Sequence, residues 1–279
     1  MHNPKRTAPG AGVKRGLKKF SAVWVWPLLA SLFFCIPGVV YADSIAGSDI
    51  SFSNLQITAS AGTIQFQDVW TTQAFAQAQN SLGGLASQFN SNNGGPSTAS
   101  AAVTLASASG NAAVAPLSGA ASSNATIPGN MNAQAISTGT GTLFNFFEIT
   151  GGSGSVNVTF SADIAGTLDV MTDQTGLLAS TETIFGLQLD GAPILFFDQP
   201  LSVGPNSSAS TAFSKNLSTM VSLDYGTVYY VVAQADSESR AINTPEPATA
   251  SLLFSALLGV AGYVRKRRGQ TARCSRCKR

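Results

Sequence analysis

The sequence predicts a mostly-β protein, an antiparallel β-sandwich of jelly-roll-like type, with an N-terminal signal helix and a C-terminal transmembrane helix. Three observations carry this. Short segments in which apolar and polar residues alternate recur through the middle of the chain, each closed by Gly, Pro, Asn or Asp. No long helical repeat separates them, as befits an all-β body. Two long apolar runs occur, one near each end of the 279-residue chain.

Charge divides the chain in the same way. The formal net charge is +2, from 16 Lys and Arg against 14 Asp and Glu. Yet Lys215 and Arg240 are the only basic residues between positions 43 and 243, which hold thirteen of the acids. The body is therefore anionic, net −11, between two basic ends. Such a body has nothing to displace counterions from phosphate, so nucleic acid is not an expected partner.

Residues 1–42 have the order of a secretory signal. Basic residues run to Lys19, an apolar run spans 20 to about 36, and Pro37-Gly38 breaks the helix. Val40 and Ala42 then place small residues before Asp43, so signal peptidase is expected to cut between Ala42 and Asp43. Cys35 follows Phe34, which is too bulky for lipoprotein processing.

The exported domain is expected over 43–242. Its first strand pair is read at 52–58 and 63–68, with the turn Ala59 to Gly62 between them. The segment 70–82 is ambiguous: Phe75, Ala78 and Leu82 share a helical face, which favours a short helix or irregular cover, while its Thr and Gln suit an edge strand. From Val69 to Phe147 no residue is charged. Within that run, 96–142 is a small-residue, low-complexity part, read as short strands separated by Gly110, Pro116, Pro128-Gly129 and the glycines at 139 and 141. It forms either part of the sandwich or a flanking layer. Stronger strands are predicted at 143–150, 155–163, 166–172, 183–190, 193–198, 211–216, 220–225 and 228–234. The period of two is explicit in Val156, Val158 and Phe160, and Asp190-Gly191 is the clearest hairpin turn.

The body contains no Cys and no His, which removes Ser-His-Asp and Cys-His nucleophiles and imidazole or thiolate metal sites. No cofactor, metal site or catalytic residue is expected. Ser214-Lys215 as a dyad fails because neighbours on a strand point to opposite faces. Glu148, Glu182, Asp163 and Asp190 have no spacing that singles out a glycosidase pair, and Asp163, Asp169 and Asp173 do not follow a calcium-loop pattern. The remaining candidates are rings: Trp70 and Tyr230 are possible glycan contacts.

The C-terminal end is the most specific part of the sequence. Pro245, Glu246 and Pro247 precede an apolar run at 248–264, and Arg265, Lys266, Arg267 and Arg268 follow it. The run, 17 residues, lies at the short limit for a helix that spans a bilayer, and the basic cluster sets its C-terminal side in the cytoplasm. This tripartite order resembles the PEP-CTERM sorting signal of Gram-negative bacteria. The resemblance covers roughly the last tenth of the chain, 243–268. It implies recognition by an exosortase, transient anchoring in the inner membrane, processing near Pro245-Glu246-Pro247 and delivery to the cell surface or extracellular polysaccharide matrix. A basic cytoplasmic tail, 269–279, carries Cys274 and Cys277 and departs from the usual end of such signals.

These readings converge on a non-catalytic exported protein. Its expected partners are the export machinery with signal peptidase, the exosortase and the inner membrane. Two alternatives stand beside sorting alone: a carbohydrate-binding module for exopolysaccharide, and a self-associating structural matrix protein.

Overall fold

A computed structural model describes residues 43–129, 131–173 and 177–243. The signal segment up to Ala42, the sorting motif Pro245 to Pro247, the apolar run 248–264, Arg265 to Arg268 and the Cys274/Cys277 tail lie outside the described residues. Thirteen strands and no helix occur among them: β1 (Ser44–Ala59), β2 (Thr63–Phe66), β3 (Thr71–Asn80), β4 (Leu85–Asn93), β5 (Ser97–Val103), β6 (Ala106–Val114), β7 (Leu117–Ile127), β8 (Gln134–Thr150), β9 (Ser155–Thr172), β10 (Leu177–Leu189), β11 (Ala192–Val203), β12 (Ser207–Asp224) and β13 (Val228–Asn243). They form two antiparallel sheets, β12-β9-β1-β7-β6-β5 and β11-β10-β13-β8-β3-β4, with β2 added to β8. The expected β-sandwich is thus the observed architecture.

Alternation of burial gives each sheet one inner and one outer face. In β9, Val156, Val158, Phe160, Ala162, Ile164, Leu168 and Val170 point inward while Asn157, Asp163 and Asp169 point out. Three kinds of side chain fill the space between the sheets. A large apolar cluster centres on Phe52, Phe147, Phe160 and Phe185, with Phe52 and Phe185 ring centroids 5.3 Å apart. Full burial of each such ring contributes about 1.5–3 kcal/mol. A second cluster is almost entirely alanine: Ala74, Ala76, Ala78, Ala99, Ala101, Ala106, Ala108, Ala125, Ala135 and Ala241.

The third element is polar. Ser48 of β1 and Ser123 of β7 meet Thr181 of β10 and Ser237 and Ser239 of β13, all buried. Oxygen separations are 3.1 Å for Ser48–Ser123, 2.8 Å for Ser48–Ser237, 2.7 Å for Ser123–Ser237 and 2.8 Å for Ser123–Ser239. Thr181 reaches Ser48 at 2.6 Å. These five buried hydroxyls are tolerated because each has an acceptor within reach. Ser237 donates to the Ser48 carbonyl, Ser239 to the Ser123 carbonyl and Thr181 to the Glu238 carbonyl. Thr183, opposite Ser237, holds the one buried hydroxyl without a partner among the described residues.

Several expectations are corrected. The segment 70–82 is no helix: β3 buries Thr72, Ala74, Ala76 and Ala78 on alternate positions and turns Gln73, Phe75 and Gln77 outward. Its period is two, but the small residues face in and the large ring faces out. Strand 52–58 does not pair with 63–68, because β1 lies between β7 and β9 in one sheet while β2 pairs with β8 in the other. Gly110, Gly139, Gly141 and Gly166 sit inside strands and do not end them. The predicted pieces therefore fuse, and β9 and β12 each run 18 residues. The small-residue part is no flanking layer: β5, β6 and β7 belong to one sheet of the sandwich and the start of β8 to the other.

The glycines explain how that part packs. A Cβ on Gly139 would lie 2.6 Å from the Ser122 carbonyl oxygen and closer still to that of Ser109. On Gly141 it would meet the Ala120 oxygen at 2.7 Å and the Asn111 oxygen more closely. Backbone thus packs on backbone across the sandwich, and alanine or serine beside it suffices to fill the interior.

Candidate functional site

The two outer faces differ in chemistry. The face of the β12-β9-β1-β7-β6-β5 sheet is built mostly from short polar side chains such as Ser51, Ser122, Asn124, Asn157, Asp163 and Thr167, with Met171 and Met220 exposed at its β9-β12 side and no ring among them. The face of the other sheet carries rings. Phe75 and Phe89 are paired across β3 and β4, Phe144 and Phe146 lie two apart on β8, Tyr230 opposes Phe146 on β13, and Phe196 sits on β11. Phe89 is 61% and Phe196 63% exposed. An apolar, ring-bearing face beside a polar one makes the former the candidate binding surface.

Tyr230 is central to it. Its ring lies 4.8 Å from Phe146 and 5.9 Å, edge-on, from Phe144. The β10–β11 turn fixes its backbone: the Tyr230 N–H donates to Asp190 Oδ1 and the Asp190 N–H to the Tyr230 carbonyl, both at 2.8 Å. Asp190 and Gly191 take φ of 50° and 80°, the positive pair that a two-residue hairpin turn requires. Burial against the two phenylalanines raises the Tyr230 phenol above its ordinary range. No hydrogen bond to that hydroxyl occurs among the described residues, so it is available to a ligand.

Trp70 does not join this platform. It packs on Phe66, 5.3 Å away, and Phe66 pairs with Phe147 on the inner face of the sheet. Trp70 therefore covers one end of the phenylalanine core, while Tyr230 looks out on the other side. Sequence reading missed Phe144 and Phe146. Their signal is present: Leu143, Phe144, Phe146, Phe147 and Ile149 place apolar residues on both parities of β8, which a strand with a solvated polar face does not do.

Farther along the same face lies an acidic strip. Glu182 and Glu238 are directly cross-strand, Ile184 separates Asp198 from Asp236, and Glu182, Glu238, Arg240 and Pro200 line a shallow depression. Burial, then hydrogen bonding and like charge from Asp198, and finally Glu238, raise the Glu182 carboxyl above its usual range. Asp236 is raised by burial, although the Thr140 hydroxyl and the Gln234 amide each donate to it at 2.7 Å. A folded-state pKa above the unfolded one contributes stability below the unfolded value and loses it as pH rises through the folded value. Asp236→Asn is therefore expected to stabilise the protein at pH 7, with the gain vanishing near pH 3.5. The Asn amide keeps the Thr140 bond, and Gln234 reverses to accept from it. Denaturant midpoints of variant and parent at the two pH values measure this.

The other candidates do not assemble. Asp163 accepts from Asn54 and Asn216 at 2.7 Å each, which lowers its pKa. Asp169 lies six residues along the same strand, roughly 20 Å away at 3.3 Å per residue. Among the described residues no three acidic side chains gather as a metal site. Lys215 faces inward with its ammonium 4.6 Å from the Phe197 ring centre, while Ser214 points out beside Ala165. Asp163 and Glu182 stand on opposite outer faces.

No family model, curated protein or solved structure matches the chain. The site's reading therefore rests on its own geometry and on the sequence at the chain ends.

Proposed function

We propose that this chain is a non-catalytic exported protein, delivered by an exosortase to the cell surface or the extracellular polysaccharide matrix, with a jelly-roll-like body. The tripartite order Pro245-Glu246-Pro247, apolar 248–264 and Arg265 to Arg268 carries the reading. The geometry around the last described residue fits it. Asn243 is tied to the body by its N–H to the Ala133 carbonyl at 3.0 Å and its side-chain amide to the Met131 carbonyl at 2.6 Å. Pro245 follows two residues later, which leaves little linker before the sorting motif. The start of the body lies at the same end of the sandwich, since Ser44 donates to the Leu178 carbonyl and Leu178 pairs with Ile242. The jelly-roll assignment follows the order in which β7 to β13 alternate between the sheets around β10-β11, with β1 closing the last position.

Deleting residues 245–279 is expected to abolish surface retention in a host that carries the exosortase, with the body appearing in the medium. Unchanged fractionation of the shortened chain overturns the reading.

The Phe144, Phe146 and Tyr230 cluster favours a second reading, in which the body also binds exopolysaccharide. Ring faces pack against the C–H side of sugars, and Thr71, Gln73, Gln188 and Gln234 supply donors and acceptors on the same face. Tyr230→Ala is expected to reduce retention on the organism's own polysaccharide about tenfold, and Trp70→Ala to leave it unchanged while lowering stability. Equal retention by the parent and Tyr230→Ala removes the platform.

A further inference from the structure

The lateral edges of the sandwich are guarded unequally. On one side, β11 carries Pro193, Pro200 and Asp198, and β12 carries Asp224 and the inward-facing Lys215. Proline and inward charge are the devices that keep a sheet edge from pairing with another chain. On the opposite side, β5 is closed by its neighbour: the Ser100 N–H donates to Gln88 Oε1 at 2.7 Å, and Asn90 Nδ2 donates to the Thr98 carbonyl at 3.3 Å. Side chains of β4 thus occupy backbone groups of β5 that a further strand would need.

β4 itself has no such cover. It ends its sheet, and no strand pairs with its outer edge among the described residues. Its sequence, Leu85 to Asn93, contains neither charge nor proline, and every residue except Ala86 is exposed. No charge occurs anywhere on β3, β5, β6 or β7 either, so the acids of the body, net −11, lie on the remaining strands and in the connections at Asp43, Asp68, Asp173 and Asp190. Two copies meeting at β4 therefore bring together their uncharged sides and hold their acidic sides apart. The strand is also close to self-complementary. Around Phe89, Ser87 matches Ser91, and the ring at the centre already has Phe75 beside it.

We propose that the free edge of β4 pairs antiparallel with β4 of a second copy of this chain, centred on Phe89, so that two sheets join into one. The two-fold axis passes through Phe89, the partner's Phe89 lies directly opposite, and Ser87 opposes the partner's Ser91. The joined ring-bearing faces then form one continuous surface. The proposal gives the self-association expectation a defined surface and does not rest on exosortase sorting.

The register makes a sharp test. In the full chain purified in mild detergent, Ser87→Lys with Ser91→Lys sets like charges opposite each other twice. Ser87→Lys with Ser91→Glu sets opposite charges there instead. Sedimentation is expected to give a dimer for the parent, at least a tenfold weaker dimer for the double lysine variant, and a restored dimer for the Lys/Glu variant. A Phe89→Cys chain with Cys35, Cys274 and Cys277 replaced by Ser should form a disulfide dimer on mild oxidation, and Asn157→Cys in the same background should not. A monomeric parent at about 100 µM, or a double lysine variant as dimeric as the parent, overturns the proposal. So does equal cross-linking at positions 89 and 157.

Discussion

Replacing Gly139 with alanine is expected to lower the unfolding free energy by about 3 kcal/mol, at the upper end of what overpacking a core usually costs. The reason lies in what the new methyl meets. Its nearest neighbours are the Ser109 and Ser122 carbonyl oxygens, on two adjacent strands of the facing sheet. Neither can rotate away as a flexible side chain would. Relief requires the sheets to separate, and separation pulls apart the Ser48, Ser123 and Ser237 contacts as well as the alanine cluster. For a domain of this size about 3 kcal/mol lowers the midpoint by roughly 6–12 °C. Gly186 provides the control. It also lies inside a strand, β10, yet a Cβ there meets nothing within 4 Å. Gly186→Ala is expected to raise stability by roughly 0.5 kcal/mol, since alanine loses less backbone freedom on folding. Thermal unfolding of the two variants side by side decides the matter. Equal midpoints would show that the sheets are not held at backbone contact.

The same close approach explains what was legible in the sequence. Where large apolar residues alternate with polar ones, as in Val156, Val158 and Phe160 or Phe185, Leu187 and Leu189, the strands are plain. Inner positions there bury enough area to leave a hydrophobic pattern. In β3 the pattern runs the other way, because the inner residues are Ala74, Ala76 and Ala78 and the largest residue, Phe75, faces out. Hydrophobicity then no longer reports burial. Gly139 and Gly141 mislead for a related reason: glycine that ends a strand and glycine that admits a second backbone are the same letter. The β1–β2 error is one of partner choice. A turn of the right length suggested a hairpin, but the chain uses it to pass from one sheet to the other. At the candidate site Tyr230 is visible as one of two adjacent tyrosines, 229 and 230, of which a strand turns only one outward. Its partners Phe144 and Phe146 lie in a segment whose reading as a strand does not say which of its apolar residues face out, and the placement of Trp70 on the far side depends on the β2–β8 pairing.

Ser123→Val should destabilise the protein about as much as the glycine change, by roughly 3 kcal/mol, and the comparison with Ser123→Ala separates its two causes. Ser123 Oγ touches the hydroxyls of Ser48, Ser237 and Ser239. Deleting it with alanine leaves each neighbour another partner: Ser48 and Ser237 keep each other at 2.8 Å, and Ser239 keeps Thr181 at 3.0 Å. The loss is then that of one hydrogen bond, about 1 kcal/mol. Valine adds two methyls where oxygens stand 2.7–3.1 Å apart, closer than carbon permits, so an overpacking cost of about 2 kcal/mol comes on top. Thr183→Val tests the converse a few residues away. That hydroxyl is fully buried and unpartnered, and valine keeps its shape while removing the oxygen. Stability is expected to rise by about 1 kcal/mol. Denaturant unfolding of the three variants should therefore rank Thr183→Val above the parent, Ser123→Ala below it and Ser123→Val lowest. A Ser123→Val protein as stable as Ser123→Ala would mean the interior has slack, and the hydroxyl network would then be filling space that carbon could fill as well.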